Sequence, residues 1–329
     1  LLRPALRQAL DALHPLHARM AAYAFGWSDA DGEPGEPGGG KGLRPALVVL
    51  SAEAVGGEAE AVLPAAVAIE LVHAFSLIHD DIIDGDERRR HRETVWKAYG
   101  IGPAVLVGDG LLALAMRSVA AGPGAEPAAH HLSAALMELV RGQADDVIFE
   151  ERAWTGERAV TVREYLGMAG GKTGSLLACA AALGAAAGGA PREVVDSLSD
   201  MGRHLGIALQ IVDDLLGIWG DPAVTGKPAL GDLRRRKKTL PVIAALASGT
   251  PAARRLAGLL TDPGGFPAGQ DELELAAALV EEAGGRAYAE RRARAHADGA
   301  LRIAEEVSVS PAATAELRAF AAYLVDRVR

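Results

Sequence analysis

Residues 70–96 read ELVHAFSLIHDDIIDGDERRRHRETVW, and the first part of this stretch has the pattern of a helix with two unlike faces. At about 100° per residue, Asp80 and Asp84 point the same way one turn apart, with His73 and Ser76 near the same stripe. Leu71, Ala74, Phe75, Ile78 and Ile82 take the other side and can pack. One face therefore offers a carboxylate claw for a hard divalent cation, and the other builds core. Directly after the acidic turn come Arg88, Arg89, Arg90, His91 and Arg92, and guanidinium groups grip phosphate oxygens in a bidentate way. Acids that suit a metal beside bases that suit phosphate imply a metal-bound diphosphate. Taken alone, the same pattern also describes a solvated helix end followed by a solvated basic run.

Half of the 329 residues are apolar and only 4% are aromatic, and the apolar share is largely Ala, Leu and Val. Ala and Leu are strong helix formers and β-branched or aromatic runs are scarce, so the expected class is all-α. Pro64, Pro103 and Pro127, with Gly56, Gly57, Gly100 and Gly122 as stop signals, predict helices of roughly 12 to 25 residues. Residues 1–25 read as one amphipathic helix, and residues 26–40 as a mobile loop. With no fixed-period repeat and no boundary signal, a single domain over residues 1–329 is expected. A formal net charge of −9 argues against nucleic acid as a partner. The lone Cys179 excludes an internal disulfide and fits a packing role in a reducing compartment, so a cytoplasmic protein is expected. No uninterrupted apolar run has the length of a membrane span; the longest, residues 175–190, is short and rich in Ala and Gly.

A basic corner follows the mobile loop. Lys41 and Arg44 stand just before a helix expected to begin at Pro45, where the missing N–H is harmless, and cations at a helix N-terminus suit an anion. Farther on, Gln143 and Asp146 share a helix face, a pair that alone reads as surface. Residues 170–174, GGKTG, lack the spacing of a phosphate loop and follow no strand, but they leave Lys172 free to lean toward a ligand in the core. The second acidic constellation is Gln210, Asp213 and Asp214. Asp213 shares its face with Gly202, Gly206 and Gly217, small residues that would leave room for a ligand. Lys227 and the basic run through Lys237 come next, so acids followed by bases recur in the order of the first site.

Together these motifs resemble the trans-isoprenyl diphosphate synthases, the polyprenyl synthetase family. The resemblance runs from the Gly-Lys-x-x-Arg-Pro corner at Lys41, through the DDxxD turn at Asp80, Gln143 with Asp146, and Lys172-Thr173, to Gln210-x-x-Asp213-Asp214, Lys227 and Lys237. It implies an all-α, single-domain helical bundle around a central active-site cavity, usually a homodimer. The implied enzyme uses Mg2+ to join isopentenyl diphosphate to an allylic diphosphate (dimethylallyl, geranyl or farnesyl) with release of pyrophosphate. On that resemblance Asp80, Asp84 and Asp213 are the metal ligands, with Asp81 and Asp214 supporting. Arg89, Lys172, Gln210, Lys227 and Lys237 complete the shell of the allylic diphosphate, and Lys41, Arg44, His73 and Arg90 form the isopentenyl diphosphate pocket. Thr173 and Gln210 stand near the proton that leaves.

Some positions depart from the family pattern. Gly217 stands where many members carry a third Asp, which is expected to weaken metal binding; Gly42, His91 and Glu93 also replace common residues. In the family an aromatic residue five positions before the first Asp closes the product pocket early, so Phe75 with the small Ser76 implies a short product, geranylgeranyl diphosphate ahead of farnesyl diphosphate. Two rivals fit less well. A class I terpene cyclase needs no second diphosphate pocket, and a non-catalytic subunit of a heteromeric synthase should have lost one of the acidic motifs.

Overall fold

The structure is a computed structural model, and it describes residues 1–35, 42–89, 92–121, 125–222, 229–262, 266 and 269–326. Among these residues the protein is all-α, with one short hairpin pairing Arg88–Arg89 with Arg92–Glu93. The chain divides into two compact units. One comprises Leu1–Ala134, Leu176–Gly202 and Ile303–Leu317; the other comprises Ala135–Ser175, Arg203–Arg302 and Arg318–Arg329.

In the first unit the expected continuous N-terminal helix is two helices, α1 (Leu2–Leu10) and α2 (Pro15–Ala24). Pro15 cannot donate to the preceding turn, and His14 instead takes extended backbone and accepts the Leu16 N–H on its ring at 3.3 Å. The described part of the next loop is tied down rather than loose. Arg92 donates to the Ser28 carbonyl at 2.6 Å, and the Tyr99 hydroxyl donates to the Ala30 carbonyl at 2.8 Å. Residues 36–40 of the expected mobile loop lie outside the described residues. Helix α3 (Leu43–Ala54) begins two residues earlier than its proline suggested, because Gly42 takes a left-handed φ of 60° and turns the chain into the helix. Arg44 therefore lies inside the first turn.

Helix α4 (Leu63–Ile83) buries Val67, Ile69, Leu71, Val72, Phe75 and Ile78, so the apolar face read from the sequence is the face that packs. Its main neighbour is α6 (Ile101–Ala120), reached after the single turn α5 (Val95–Tyr99). The close approach is made at Gly108, where any side chain would collide with the His79 ring.

The second unit contains most of α7 (Ala125–Glu150), all of α8 (Val162–Ala169) and a π-type turn over Gly170–Gly174 that leads into α9 (Ser175–Ala187). Helix α8 starts on a reciprocal cap: Thr161 accepts from the Glu164 N–H at 3.2 Å, and Glu164 accepts from the Thr161 N–H at 2.8 Å. The long α10 (Arg192–Trp219) is followed by α11 (Gly231–Arg234), α12 (Leu240–Ala247), α13 (Pro251–Leu260), α14 (Gln270–Glu282), α15 (Gly285–Val307) and α16 (Pro311–Asp326). Leu233, Val242, Leu256, Leu273 and Val280 form one core of this unit; Tyr165, Met168, Ile211, Leu215 and Leu240 form the other.

The small-residue stripe of α10 is not ligand space. A side chain at Gly206 would run into the backbone of Gly174, and one at Gly217 into the Asp232 carboxylate. In the first unit, Gly202 is likewise pressed against the Leu177 carbonyl. Glycine is used here so that backbone and acid can come close.

The run-length expectation about membranes also needs correction. By length and composition alone, Ala59–Ile83, Ile101–Ala120 and Val162–Ala187 are long and apolar enough to cross a bilayer. An uninterrupted run stops at every isolated polar residue, such as His73 or Ser76, whereas the average over a helix does not. Within the protein 56%, 39% and 78% of these windows are buried, so much of that apolarity serves packing. Cys179 is buried in the same way, and burial pushes its thiol up to about 12, in keeping with an inert role.

A histidine pair sits between α10 and α15: the Nδ1 atoms of His204 and His296 are 3.1 Å apart. Burial, with His204 and Arg292 adding their repulsion, lowers His296 from 6.5 to about 4. The folded protein therefore resists a proton that the unfolded chain accepts, so this contribution to stability is present above 6.5 and is lost as pH falls toward 4. The urea midpoint should decline across that window, and His296→Gln should flatten the decline.

Candidate active site

At the end of α4, Asp80 and Asp84 are both half-buried, while Asp81 is turned inward and only 4% exposed. The hairpin after the helix folds the chain back so that Arg89 meets this turn. Its Nε and Nη2 donate to Asp81 Oδ1 at 2.8 and 2.7 Å, and Nη2 lies 4.0 Å from Asp80 Oδ2. Burial pushes the Asp81 carboxyl up, and Arg89 pulls it back down. The Asp86 carbonyl accepts from the Thr94 hydroxyl at 2.7 Å and from the Trp96 indole at 2.9 Å, which fixes the turn from outside. Arg44 Nη1 is 3.1 Å from His73 Nε2. A guanidinium can only donate, so His73 accepts at Nε2 and carries its proton at Nδ1. The Ser76 hydroxyl turns back to the His73 carbonyl at 2.9 Å. Phe75 is buried and edge-on to His79, with ring centroids 4.8 Å apart, and His79 Nε2 reaches the Val105 carbonyl at 3.2 Å.

The second centre, in the other unit, is built on a close approach between α7 and the π turn. Gly142 lies against the backbone of Gly171 and Lys172, where no side chain would fit. One turn beyond Gly142, Asp146 meets the Lys172 ammonium at 2.6 Å. The Gln143/Asp146 pair, which alone read as surface, thus supplies the counter-ion of a lysine singled out for its Gly-rich setting. Thr173, the next residue on the turn, donates to Gln210 Oε1 at 2.6 Å, and Gln210 Nε2 donates to Asp214 Oδ1 at 3.2 Å.

Asp213 and Asp214 have opposite environments. Asp213 is exposed, whereas Asp214 is buried and accepts on Oδ2 from the Tyr165 hydroxyl at 2.5 Å and from the Leu240 N–H at 2.9 Å. Burial, with the nearby Asp232 charge, pushes the Asp214 carboxyl up to about 7, and its donors oppose the shift. Lys237 is half-buried, and its N–H caps the Asp232 carbonyl at 2.9 Å. Its neighbour Lys238 is buried, with the ammonium 3.6 Å from the centroid of the Trp154 ring and 3.3 Å from the Glu150 carbonyl; burial lowers it to about 8. Lys41, Arg90 and Lys227 lie outside the described residues.

Three residues of this centre escaped the reading of the sequence. None of Tyr165, Asp232 and Lys238 was singled out: Tyr165 sits in no acidic or basic motif, Asp232 precedes the basic run, and Lys238 is the last residue of that run. Among the described residues no three His, Cys, Asp or Glu side chains form a ready-made cage. The donor set at Asp80 and Asp84 is nevertheless the hard oxygen pair that suits a cation taking its other ligands from phosphate and water.

A polyprenyl synthetase family model matches residues 37–266. The chain is 46% identical to a (2E,6E)-farnesyl diphosphate synthase of Mycobacterium tuberculosis over 99% of this chain and 90% of the relative. It is 42% identical to a geranylgeranyl diphosphate synthase of the same organism over 94% and 87%. A polyprenyl synthetase structure from Streptomyces coelicolor A3(2) superposes with a TM-score of 0.91 at 46% identity, covering 98% of this chain and 96% of that one. An all-helical chain with these acid and base pairs, and with these relatives, is a prenyltransferase. It belongs to the polyprenyl synthetase family, and within it to the short-chain prenyl diphosphate synthases.

Proposed function

We propose that the protein condenses isopentenyl diphosphate with an allylic diphosphate, releases pyrophosphate, and makes geranylgeranyl diphosphate as its main product. The observation that carries this reading is α4 itself: a carboxylate pair at its end, and a buried Phe75 between one and two turns back on the same helix. In this proposal Asp80, Asp84 and Asp213 hold magnesium, which supplies positive charge for the leaving pyrophosphate.

The chain's own residues do the rest. Asp81 holds Arg89 against the acidic turn, so the guanidinium is oriented before a diphosphate arrives. Lys172 and Gln210, with Lys227 and Lys237, bind the allylic diphosphate, and Asp146 keeps the Lys172 ammonium extended until it does so. Arg44, braced by His73, serves the isopentenyl diphosphate with Lys41 and Arg90. The apolar residues of α4 exclude water from the allylic cation. A homodimer is proposed on the family resemblance, and Met137, Val140, Val147 and Ile148, exposed along one stretch of α7, support it. The proposed setting is the cytoplasm, with neither nucleic acid nor a membrane span involved.

A second reading, farnesyl diphosphate as the product, is favoured by the 46% identity to the mycobacterial farnesyl diphosphate synthase. The test is a magnesium-dependent assay with isopentenyl diphosphate and, separately, dimethylallyl, geranyl and farnesyl diphosphates, with products sized after dephosphorylation. A C20 alcohol supports the first reading, C15 replaces it with the second, and cyclic hydrocarbon formed without isopentenyl diphosphate overturns both. Phe75→Ala should lengthen the main product by at least one isoprene unit, because it empties the floor beneath the tail. An unchanged product would assign the floor to another side chain.

A further inference from the structure

We propose that Tyr165 is a positioning residue that fixes the hydrogen-bond polarity of Thr173, acting through Asp214 and Gln210, so that the Thr173 hydroxyl meets the reacting centre as an acceptor. The inference rests on the prenyltransferase reading of the same centre and assigns a role to a residue outside its ligand set.

The argument follows the direction of each hydrogen bond. Tyr165 is 1% exposed, and its hydroxyl donates to Asp214 Oδ2 at 2.5 Å; the Leu240 N–H loads the same oxygen at 2.9 Å. With two donors on Oδ2, the Asp214 carboxyl is fixed in place as an acceptor. It must then face the NH2 of Gln210 rather than its carbonyl, which is the orientation at 3.2 Å. The Gln210 carbonyl oxygen is thereby turned to Thr173 Oγ1 at 2.6 Å. An amide oxygen cannot donate, so the only hydroxyl proton of Thr173 is committed to Gln210. What Thr173 has left is lone pairs.

That polarity suits the reaction. The allylic C–O bond breaks with its electron pair leaving on pyrophosphate, the π pair of isopentenyl diphosphate forms the new C–C bond, and a proton on the adjoining carbon departs to a pyrophosphate oxygen. An electron-poor carbon and an acidified C–H both favour a lone pair, whereas a donating hydroxyl would favour a phosphate oxygen. Without the Tyr165 hydroxyl, Oδ2 loses a donor, and the Gln210 amide can turn over and present N–H to Thr173.

The test is Tyr165→Phe in the full chain, which removes one oxygen and leaves the ring to pack. The expected result is a kcat about tenfold lower, with the KM of each diphosphate within about twofold of wild type. Thr173→Val breaks the relay at its end, so adding Tyr165→Phe to that variant should change kcat no further. An unchanged kcat, or the same fall in both backgrounds, would overturn the relay and leave Tyr165 a packing residue.

If the wild-type protein turns over none of these substrates, the prenyltransferase reading fails, and the relay is judged separately by NMR. The Gln210 side-chain NH2 should exchange slowly in the wild type and about tenfold faster in Tyr165→Phe. Equal exchange rates would overturn the relay whatever the activity.

Discussion

Asp80→Ala should abolish turnover and leave the protein folded. Asp80 lies on the half-buried polar face of α4 and contributes no core packing, and its contact with Arg89 is a long one, at 4.0 Å, beside the short pair that Arg89 makes with Asp81. Removing it takes one of two carboxylates from the proposed metal claw, and kcat/KM should fall by on the order of 10⁴. The melting temperature should stay within about 3 °C of wild type, since substitutions of polar side chains outside the core seldom cost more than about 0.5 kcal/mol. Raising magnesium should recover little, because geometry rather than occupancy is lost. A variant that keeps more than a tenth of the wild-type rate would remove Asp80 from the metal site. Asp81→Ala is the matched control: it removes the short ion pair of Arg89 and should lower stability as well as rate.

Much of this architecture was written in local patterns. The face of α4 that packs and the face that carries acid are both set by periodicity, so they were legible from residues 63–84 alone. Helices were expected to start near Pro64 and Pro103, and α4 and α6 start at Leu63 and Ile101, because proline marks that boundary by its own chemistry. What failed to show was any feature whose partner is remote. The partner of Tyr165 is 49 residues away and that of Lys172 is 26 residues away, and nothing local to either residue names it. The glycines of α10 were misread for a related reason. A stripe of small residues is the same string whether it leaves room for a ligand or lets another backbone in, and only the neighbours distinguish the two. Gly217 is the sharpest case. Its missing side chain looked like the loss of a third acid, yet the space is filled by the carboxylate of Asp232 from the short helix α11.

Asp214→Ala should fail in the opposite manner to Asp80→Ala. Asp214 is only 5% exposed and is the common acceptor for the Tyr165 hydroxyl, the Leu240 N–H at the start of α12, and the Gln210 amide. Truncation leaves three donors facing a small void, and each buried donor without an acceptor costs about 1–3 kcal/mol. Allowing for relaxation and some water entry, the expected loss is about 3–5 kcal/mol, comparable to breaking a buried charged pair and a large part of a domain's net stability. Turnover should vanish with the fold rather than before it. A saturating diphosphate analogue should recover part of the stability, because a ligand that binds only the native state stabilises it by mass action. The measurement is a urea melt of the variant with and without analogue, followed by tryptophan fluorescence. If the variant melts like wild type but is inactive, Asp214 acts on the ligands directly and the two acids of this pair share one role. If it melts early and the analogue raises its midpoint, the pair is divided, with Asp213 exposed for chemistry and Asp214 buried to hold Gln210, Tyr165 and the start of α12 in register.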